Sequence, residues 1–193
     1  MSAVRIEQLR TVSEDRVSEL YPVAHDHRLF GRGHGERVAA AIEMAREYVS
    51  GVHRPVGADL SCGNGEILRQ LPLWGRIYGD IAPTGGPVDR MVGPIEQTLD
   101  KIPYVDLFVL SETLEHLIDP YAVVARIMPE AGALLVTTPI DCWDDDNPEH
   151  LWAWNREGVE YIAECGGFRA DRYTEVDSIV YGERYKYGVW LFT

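Results

Sequence analysis

The chain has 193 residues, of which 46% are hydrophobic, and a formal net charge of −13 at pH 7. This length and apolar content predict one globular domain with a sizeable core, and no apolar run is long enough to cross a bilayer. The acidic balance favours a small, polar or cationic substrate over nucleic acid, which it does not exclude because a basic groove can be local. The three cysteines lack metal-ligand spacing and the N-terminus lacks a signal-peptide pattern, which together indicate a cytoplasmic protein.

The first 35 residues are expected to form a helix and a flexible flap. Apolar residues recur at helical spacing over Val4–Leu20, which predicts a helix that Pro22 interrupts. The alternating glycines of Gly31–Gly35 then favour a flap that orders over a bound cofactor. The histidines near this flap are interpreted as part of it rather than as a metal site. A helix over Glu36–Tyr48 is predicted to open the main domain, residues 36–193.

Strands and helices alternate from Val56 onward. This order predicts an α/β fold whose sheet is mostly parallel, with an antiparallel C-terminal strand and helices on both faces. The predicted strands are Val56–Leu60, Arg76–Ile81, Arg90–Val92, Val105–Leu110 and Ala133–Thr137, the last of which ends before Pro139. Helices are predicted over Glu66–Leu71 and Asn155–Cys165, and a closing hairpin over Ala170–Thr193.

The run from Gly57 to Leu68 is interpreted as a buried strand, a glycine turn and the start of a helix. Gly63 and Gly65 allow a ligand to approach the main chain, and the N–H groups that open the helix favour an anionic or polar ligand end. Asp59 can accept from an ammonium or hydroxyl group. The run lacks the Gly-Lys-Ser/Thr of a nucleoside triphosphate loop and the third glycine of a dinucleotide fingerprint. The alternative is an ordinary strand-to-helix turn.

The run Asp59-Leu60-Ser61-Cys62-Gly63-Asn64-Gly65 resembles motif I of class I S-adenosylmethionine (SAM) methyltransferases, Asp-Leu-Gly-Cys-Gly-x-Gly, with Ser61 replacing the first glycine. The resemblance implies a Rossmann-like methyltransferase sheet and SAM as the cofactor. An acid at the end of the second strand, here Asp80, would accept from the ribose hydroxyls. Pro94 stands where the family often has an acid for the adenine amino group, which leaves Ile95 to pack on the ring. The implied cofactor-binding residues are Asp59, Ser61, Gly63, Gly65, Asp80, Ile81, Ile95 and Ser111.

A second group of polar residues follows the most apolar strand, at the sheet edge where open α/β sheets bind ligands. If this segment is helical, Glu112, Glu115 and His116 share one face, and a loop after the fifth strand can bring His150 toward them. Two carboxylates and two imidazoles suit a divalent Mg, Mn, Fe or Zn ion. Without a metal, His116 or His150 would act as a base.

These four residues resemble the Glu-x-x-Glu-His and downstream His of two methyltransferase groups. One group methylates the 3′-terminal 2′-hydroxyl of small RNAs, and the other O-methylates catechol intermediates of ubiquinone synthesis. The resemblance implies a metal that is chelated by adjacent hydroxyls and lowers the pKa of the acceptor oxygen.

The sequence therefore predicts a SAM-dependent methyltransferase, of the EC 2.1.1 class, that O-methylates a polar small molecule such as a sugar or a catechol-like diol. Glu112, His116 and His150 are the predicted catalytic residues, and Glu112, Glu115, His116 and His150 are the predicted metal ligands. Two alternatives stay open. One is an RNA 3′-end 2′-O-methyltransferase, which the acidity and the lack of an appended RNA-binding domain disfavour. The other is a catalytically silent SAM-binding module. No membrane partner is expected, and the sequence indicates no particular oligomeric state.

Overall fold

The computed structural model describes residues 3–13, 21–24, 32–180 and 183–193. Its strands are β1 Ile6–Gln8, β2 Val56–Asp59, β3 Gly75–Asp80, β4 Met91–Val92, β5 Leu107–Ser111, β6 Leu134–Ile140, β7 Trp152–Trp154, β8 Ala170–Val180 and β9 Glu183–Phe192. Its α-helices are α1 Arg32–Val49, α2 Glu66–Gln70, α3 Ile95–Thr98, α4 Pro120–Ile127 and α5 Arg156–Cys165. The strands and helices that were predicted within residues 56–193 lie close to their observed positions, whereas α3, α4 and β7 were not predicted.

A sheet of seven strands in the order β4-β3-β2-β5-β6-β9-β8 forms the centre of the fold. Neighbouring strands from β4 to β6 pair in parallel, whereas β9 is antiparallel to both β6 and β8. This arrangement confirms the predicted mostly parallel sheet with an antiparallel C-terminal strand. From β2 the chain adds β3 and β4 on one side of the sheet and then returns to add β5 and β6 on the other side. The position between β2 and β5 is therefore a topological switch point, which opens a crevice at the carboxyl ends of these two strands.

Helices cover both faces of the sheet, as predicted. On one face, α1 and α2 pack against Val109 and Leu135 of the sheet. On the other face, α3, α4 and α5 pack against Phe108 and Val136. Successive strand residues point to opposite faces, so both surfaces of the central strands are apolar and buried. In the part of the chain that is described, no helix combines the length and the apolar character needed to span a membrane.

The prediction of an N-terminal helix over Val4–Leu20 is wrong for residues 4–13, the part that the structure describes. Ile6–Gln8 form β1, which pairs antiparallel with β7, with Ile6 opposite Trp154. Helical spacing in a short polar segment is a weak signal, and pairing with a distant strand overrides it here. Residues 14–20, the remainder of the predicted helix, lie outside the described residues.

The flap predicted at Gly31–Gly35 is also wrong over residues 32–35, because α1 begins at Arg32. Two side chains of its first turns, His34 and Arg37, are buried and anchor the helix to the sheet. Glycine near a helix end costs less than in a helix interior, since the terminal backbone groups lack intrahelical partners in any case. The helix therefore crosses the expected boundary at residue 36. Residues 25–31, including Gly31, are outside the described residues.

Strand β6 continues through Pro139 to Ile140, three residues beyond its predicted end. Strand β5 pairs with β6 only from Leu134 to Thr137. Beyond Thr137, β6 has β9 on one side, where Pro139 lies opposite Tyr187. Because the β5 side is no longer paired there, the missing N–H of Pro139 costs no hydrogen bond of the β5 ladder.

Candidate active site

The glycine turn has the predicted strand-turn-helix form. After β2, the Cys62 amide donates to the Gly79 carbonyl at 2.9 Å, and the Gly65 amide closes the turn on the Cys62 carbonyl at 2.7 Å. Gly63 and Gly65 have φ angles of 52° and 74°, in the left-handed region that favours glycine. A Cβ at Gly65 would lie 2.8 Å from Pro87 Cγ. The packing of the chain itself therefore requires Gly65, beyond the ligand approach expected from the sequence.

Two buried carboxyl groups flank this turn. Asp80, at the end of β3, accepts from the Gly63 amide at 2.7 Å through Oδ2 and from the Ala82 amide at 2.8 Å through Oδ1. Each carboxylate oxygen has a second lone pair that can accept a hydroxyl. Asp59 accepts from the Ser61 amide at 3.1 Å. Burial raises the pKa of Asp59 to about 7, against the effect of its hydrogen bonds from Ser61.

The other predicted cofactor residues separate into different surroundings. Ser61 Oγ and Thr113 Oγ1 share a hydrogen bond of 2.6 Å, which joins the glycine turn to the loop after β5. Ile81 is half-buried directly after Asp80, whereas Ile95 is buried in the hydrophobic core at the start of α3. Ser111 is bonded to a buried arginine, Arg37, rather than to the glycine turn.

The single helical face predicted for Glu112, Glu115 and His116 is wrong. Glu112 has a φ angle of 52°, and only Leu114–His116 form a short 3-10 helix. The Glu112 amide donates to the Thr137 carbonyl at 2.8 Å, which extends the pairing of β5 with β6 by one residue. The chain therefore leaves the sheet through a left-handed residue instead of entering an α-helix.

Three of the four predicted metal ligands nevertheless converge. Glu115, His116 and His150 each offer a ligand atom, and these atoms lie within 4.8 Å of one another. Glu115 Oε1 is 3.9 Å from His116 Nε2, and Glu115 Oε2 accepts from Thr138 Oγ1 at 2.9 Å. Glu115 is 1% exposed, and its Oε1 has no hydrogen-bond partner among the described residues. A buried carboxylate oxygen without a donor fits a cation at this point.

The outer nitrogens of both histidines have acceptors. His116 Nδ1 lies 2.9 Å from the Glu149 carbonyl oxygen and 2.9 Å from Tyr21 Oη, and His150 Nδ1 lies 2.6 Å from Asp145 Oδ2. A carbonyl or carboxylate oxygen only accepts, so each Nδ1 carries the hydrogen and each neutral ring has a lone pair on Nε2. This arrangement, in which an outer acceptor fixes the tautomer, is usual for histidine ligands of metals.

The surroundings shift the pKa values of the two histidines in opposite directions. Burial lowers the pKa of His116. Burial also acts to lower the pKa of His150, but the hydrogen bond to Asp145 and the charge of Glu115 outweigh it and the pKa is raised. The two imidazoles therefore differ in proton affinity, a difference that acid–base chemistry can use.

Glu112, the fourth predicted ligand, is turned toward another partner. Its Oε1 lies 3.7 Å from Arg37 Nη1 and accepts from Thr137 Oγ1 at 3.3 Å. Burial raises the pKa of Glu112 to about 8, an effect that Arg37 opposes and the charge of Glu115 reinforces. Glu112 thus lies beside the cluster of Glu115, His116 and His150 without being part of it.

Arg37 is a residue of this region that was not predicted from the sequence. It is fully buried, and its Nη1 donates to Ser111 Oγ and to Thr137 Oγ1 at 2.6 Å each. Its guanidinium carbon lies 5.5 Å from the centre of the Tyr187 ring. The available signal was its position four residues before Ala41, which places a charge on the apolar stripe of α1.

No protein-family model matches the sequence, and no curated protein is similar to it. Solved structures do match the fold. The N-methyltransferase NodS from Bradyrhizobium japonicum is 15% identical with a TM-score of 0.61, over 91% of this chain and 96% of NodS. The [4+2]-cyclase SpnF is 12% identical with a TM-score of 0.64, over 91% and 88%. The small RNA methyltransferase HEN1 is 19% identical with a TM-score of 0.59, over 82% of this chain and 25% of HEN1.

These similarities, together with the sheet order, show that the chain has the fold of class I SAM-dependent methyltransferases. The resemblance read from the glycine turn is thereby confirmed at the level of the fold. The fold alone does not define the reaction, since one of the similar structures is a cyclase. The function must therefore be inferred from the residues of the site.

Proposed function

We propose that this protein is a SAM-dependent methyltransferase that methylates a hydroxyl group of a small vicinal diol, such as a catechol or a sugar. The proposal rests on the convergence of Glu115, His116 and His150 next to a glycine turn of the methyltransferase type. The hydrogen bond between Ser61 and Thr113 joins the two halves of the site at 2.6 Å.

The carboxyl ends of β2 and β3 supply the cofactor half. SAM supplies the methyl group when it is bound. Asp80 has lone pairs available for the ribose hydroxyls, and Asp59 can accept from the ammonium group. The left-handed Gly63 brings the main chain close to the ligand. Holding the methyl group in line with the acceptor oxygen is the main contribution expected from these residues.

The loops after β5 and β6 supply the acceptor half. Glu115, His116 and His150 would hold a divalent ion, and their imidazoles favour a transition metal over calcium. A divalent ion there would lower the pKa of the acceptor hydroxyl. In a mechanism without metal, the Nε2 lone pair of His116 or His150 takes the proton instead. His116 Nε2 lies 3.9 Å from Glu115 Oε1. Glu112 supports the site from beside it through its contact with Arg37.

The terminal ribose of an RNA is a second candidate substrate of the same chemistry, because it carries a vicinal diol. The structural similarity to a small RNA methyltransferase favours it. The net charge of −13 opposes binding of a long polyanion, so we place the small diol first.

Transfer of isotope from labelled SAM to matched pairs of acceptors tests the proposal. Catechol is compared with phenol, adenosine with 2′-deoxyadenosine, and a short RNA with the same RNA lacking the terminal 2′-hydroxyl. We expect label in the diol of at least one pair and little in its partner. Equal labelling within every pair contradicts a diol acceptor. SAM binding with no transfer to any compound supports a catalytically silent module instead.

The same assay separates the roles of the histidines. His116→Ala and His150→Ala are expected to lose at least 100-fold in rate, on the scale of a lost general base or metal ligand. His53→Ala is the matched control because His53 is exposed in the loop before β2. Similar rates for all three variants would remove the cluster from the mechanism.

A further inference from the structure

The N-terminal segment reaches the loop that carries His150. Strand β1 pairs with β7, which follows His150 directly, and the amides of Leu9 and Arg10 both donate to the Leu151 carbonyl, at 2.8 and 3.3 Å. This backbone ladder places the Arg10 side chain over the loop of residues 145–150.

Arg10 then bridges the two ends of this loop. Its Nη1 donates to the His150 carbonyl at 2.9 Å, and its Nη2 donates to the Asp145 carbonyl at 2.7 Å. A guanidinium group presents its donors in a rigid planar fork, so the two bonds fix the separation of these carbonyls. A turn within the loop adds a further bond, in which the backbone N–H of Asn147 donates to Asp145 Oδ1 at 2.9 Å.

The two residues that Arg10 bridges also contact each other through their side chains. Asp145 accepts from His150 Nδ1 at 2.6 Å and so fixes the orientation of the imidazole ring. A change in the separation of the Asp145 and His150 backbones would therefore disturb this hydrogen bond and reorient the ring. Mutation of a partner that orients a metal-ligating histidine typically lowers metal affinity by about 10- to 100-fold.

We propose that Arg10 is a positioning residue of the acceptor half, which acts by fixing the loop of residues 145–150 so that His150 faces Glu115 and His116. This inference rests on the proposed metal site. The N-terminal segment is then a structural part of the site rather than a separate addition to the methyltransferase sheet. The role assigned to Arg10 is to hold a geometry, and this role includes no contact with the substrate.

Metal affinity of the protein alone is the first readout. Binding of Mn²⁺ is measured by calorimetry for wild type, Arg10→Ala and Arg10→Lys. Arg76→Ala is the matched control, because Arg76 also bridges two carbonyls, those of Leu68 and Leu71, at 2.8 and 2.7 Å, outside the cluster. We expect Arg10→Ala to weaken Mn²⁺ binding by about 10- to 100-fold. Arg10→Lys should be nearly as weak, since a single ammonium lacks the fork, and Arg76→Ala should bind as wild type does.

Hydrogen exchange of the metal-free protein is the second readout. In Arg10→Ala, amide exchange should accelerate over residues 145–151 while the sheet keeps its protection. If Arg10→Ala fails to fold, Arg10→Lys carries both measurements. If wild type binds Mn²⁺ and the Arg10 variants bind it with the same affinity, this inference alone is overturned. It is also overturned if Arg10→Lys binds Mn²⁺ as tightly as wild type does. Absence of Mn²⁺ binding in wild type removes the metal from the proposed function and this inference with it.

Discussion

The fold controls the protonation state of Asp59. Burial, reinforced by the charge of Asp80, raises its pKa from 3.8 to about 7. Because the folded pKa is raised, the protonated group stabilises the fold fully below the unfolded pKa, and this stabilisation is lost as the pH rises through about 7. At pH 8, the ionised and buried Asp59 therefore destabilises the cofactor-free protein. Asp59→Asn should increase the free energy of unfolding by about 2–4 kcal/mol at pH 8 and change it little at pH 4.

Urea unfolding of the cofactor-free protein at the two pH values measures this difference. Asparagine keeps an oxygen that can accept from the Ser61 amide, so the turn itself should persist. Asp89→Asn is the control, because Asp89 is exposed and its substitution should have little effect at either pH. An equal change for Asp59→Asn at both pH values would contradict a raised pKa.

The loop after β3 offers a matched pair of glycines. Gly85 and Gly86 have φ angles of 83° and 68°, so alanine at either position costs about 1–2 kcal/mol of backbone strain. A Cβ at Gly86 would also overlap the carbonyl oxygen of Gly63, whereas at Gly85 the nearest atoms belong to Ala24 at 3.3 Å. Gly86→Ala should therefore destabilise the protein by about 1–3 kcal/mol more than Gly85→Ala.

Calorimetric measurement of SAM affinity in the same two variants extends this comparison to the glycine turn. Gly86→Ala should weaken SAM binding because it displaces Gly63, while Gly85→Ala should leave the affinity near that of wild type. Equal effects of the two variants on stability and on SAM affinity would show that the contact with Gly63 has no role.

The residues that the sequence could identify are those with a local signature. The turn at Gly63 and the position of Asp80 at a strand end were predicted because both are read from neighbouring positions in the sequence. The sequence does not reveal the roles of Arg37 and Asp145 in this way, since these depend on partners brought together by the fold; for Arg37 the sequence shows only a charge on an apolar stripe. Arg37 reaches Ser111 and Thr137 of the sheet from helix α1. The three aspartates of residues 144–146 are indistinguishable in the sequence, and only the fold brings Asp145 into contact with His150.

Elements were predictable where their pattern was repeated or apolar. The buried strand β5 and the alternation of strands with helices defined the sheet. Strand β1 was mistaken for a helix because it has three residues and a partner almost 150 positions away. The end of β6 was misplaced because proline in a strand depends on which neighbours are still paired, as at Pro139.

Asn155 connects the N-terminal segment that contains β1 to helix α5. Its Oδ1 accepts from the Gly158 amide at 3.0 Å as the N-cap of α5, and also from the Arg5 amide at 2.9 Å. Its Nδ2 donates to the Ala3 carbonyl at 2.8 Å. Asn155→Ala should lower the free energy of unfolding by about 1 kcal/mol for the lost cap and by a further ~1 kcal/mol for the lost hydrogen bonds to the N-terminal segment.

Asp119→Ala is the matched control for this prediction, because Asp119 caps α4 by accepting from the Ala122 amide at 3.0 Å. It should lose only the cap, about 1 kcal/mol. Hydrogen exchange should accelerate at residues 5–9 in Asn155→Ala and stay unchanged there in Asp119→Ala. Unaltered exchange in both variants would contradict the role of Asn155 in holding β1.

At the scale of the whole molecule, the order of the strands divides the site. The proposed cofactor half lies at the ends of β2 and β3, and the proposed acceptor half follows β5 and β6 on the other side of the switch point. The hydrogen bond between Ser61 and Thr113 joins the halves. This division follows from the topology, which the alternating pattern of the sequence predicted. The identity of the acceptor-half contacts does not follow from it, because the loops that form them have no fixed pattern.

Because the two halves have separate side chains, SAM and metal binding should be nearly independent. Coupling between sites requires shared contacts or a shared conformational change. A chelator should therefore stop methyl transfer while changing the dissociation constant of SAM by less than about 5-fold. Asp80→Ala should show the reverse, with weak SAM binding and a wild-type affinity for Mn²⁺. Calorimetry measures both affinities. Loss of SAM binding in the chelated protein would place the ion in the cofactor half, and undiminished transfer in the metal-free protein would assign His116 or His150 as the base.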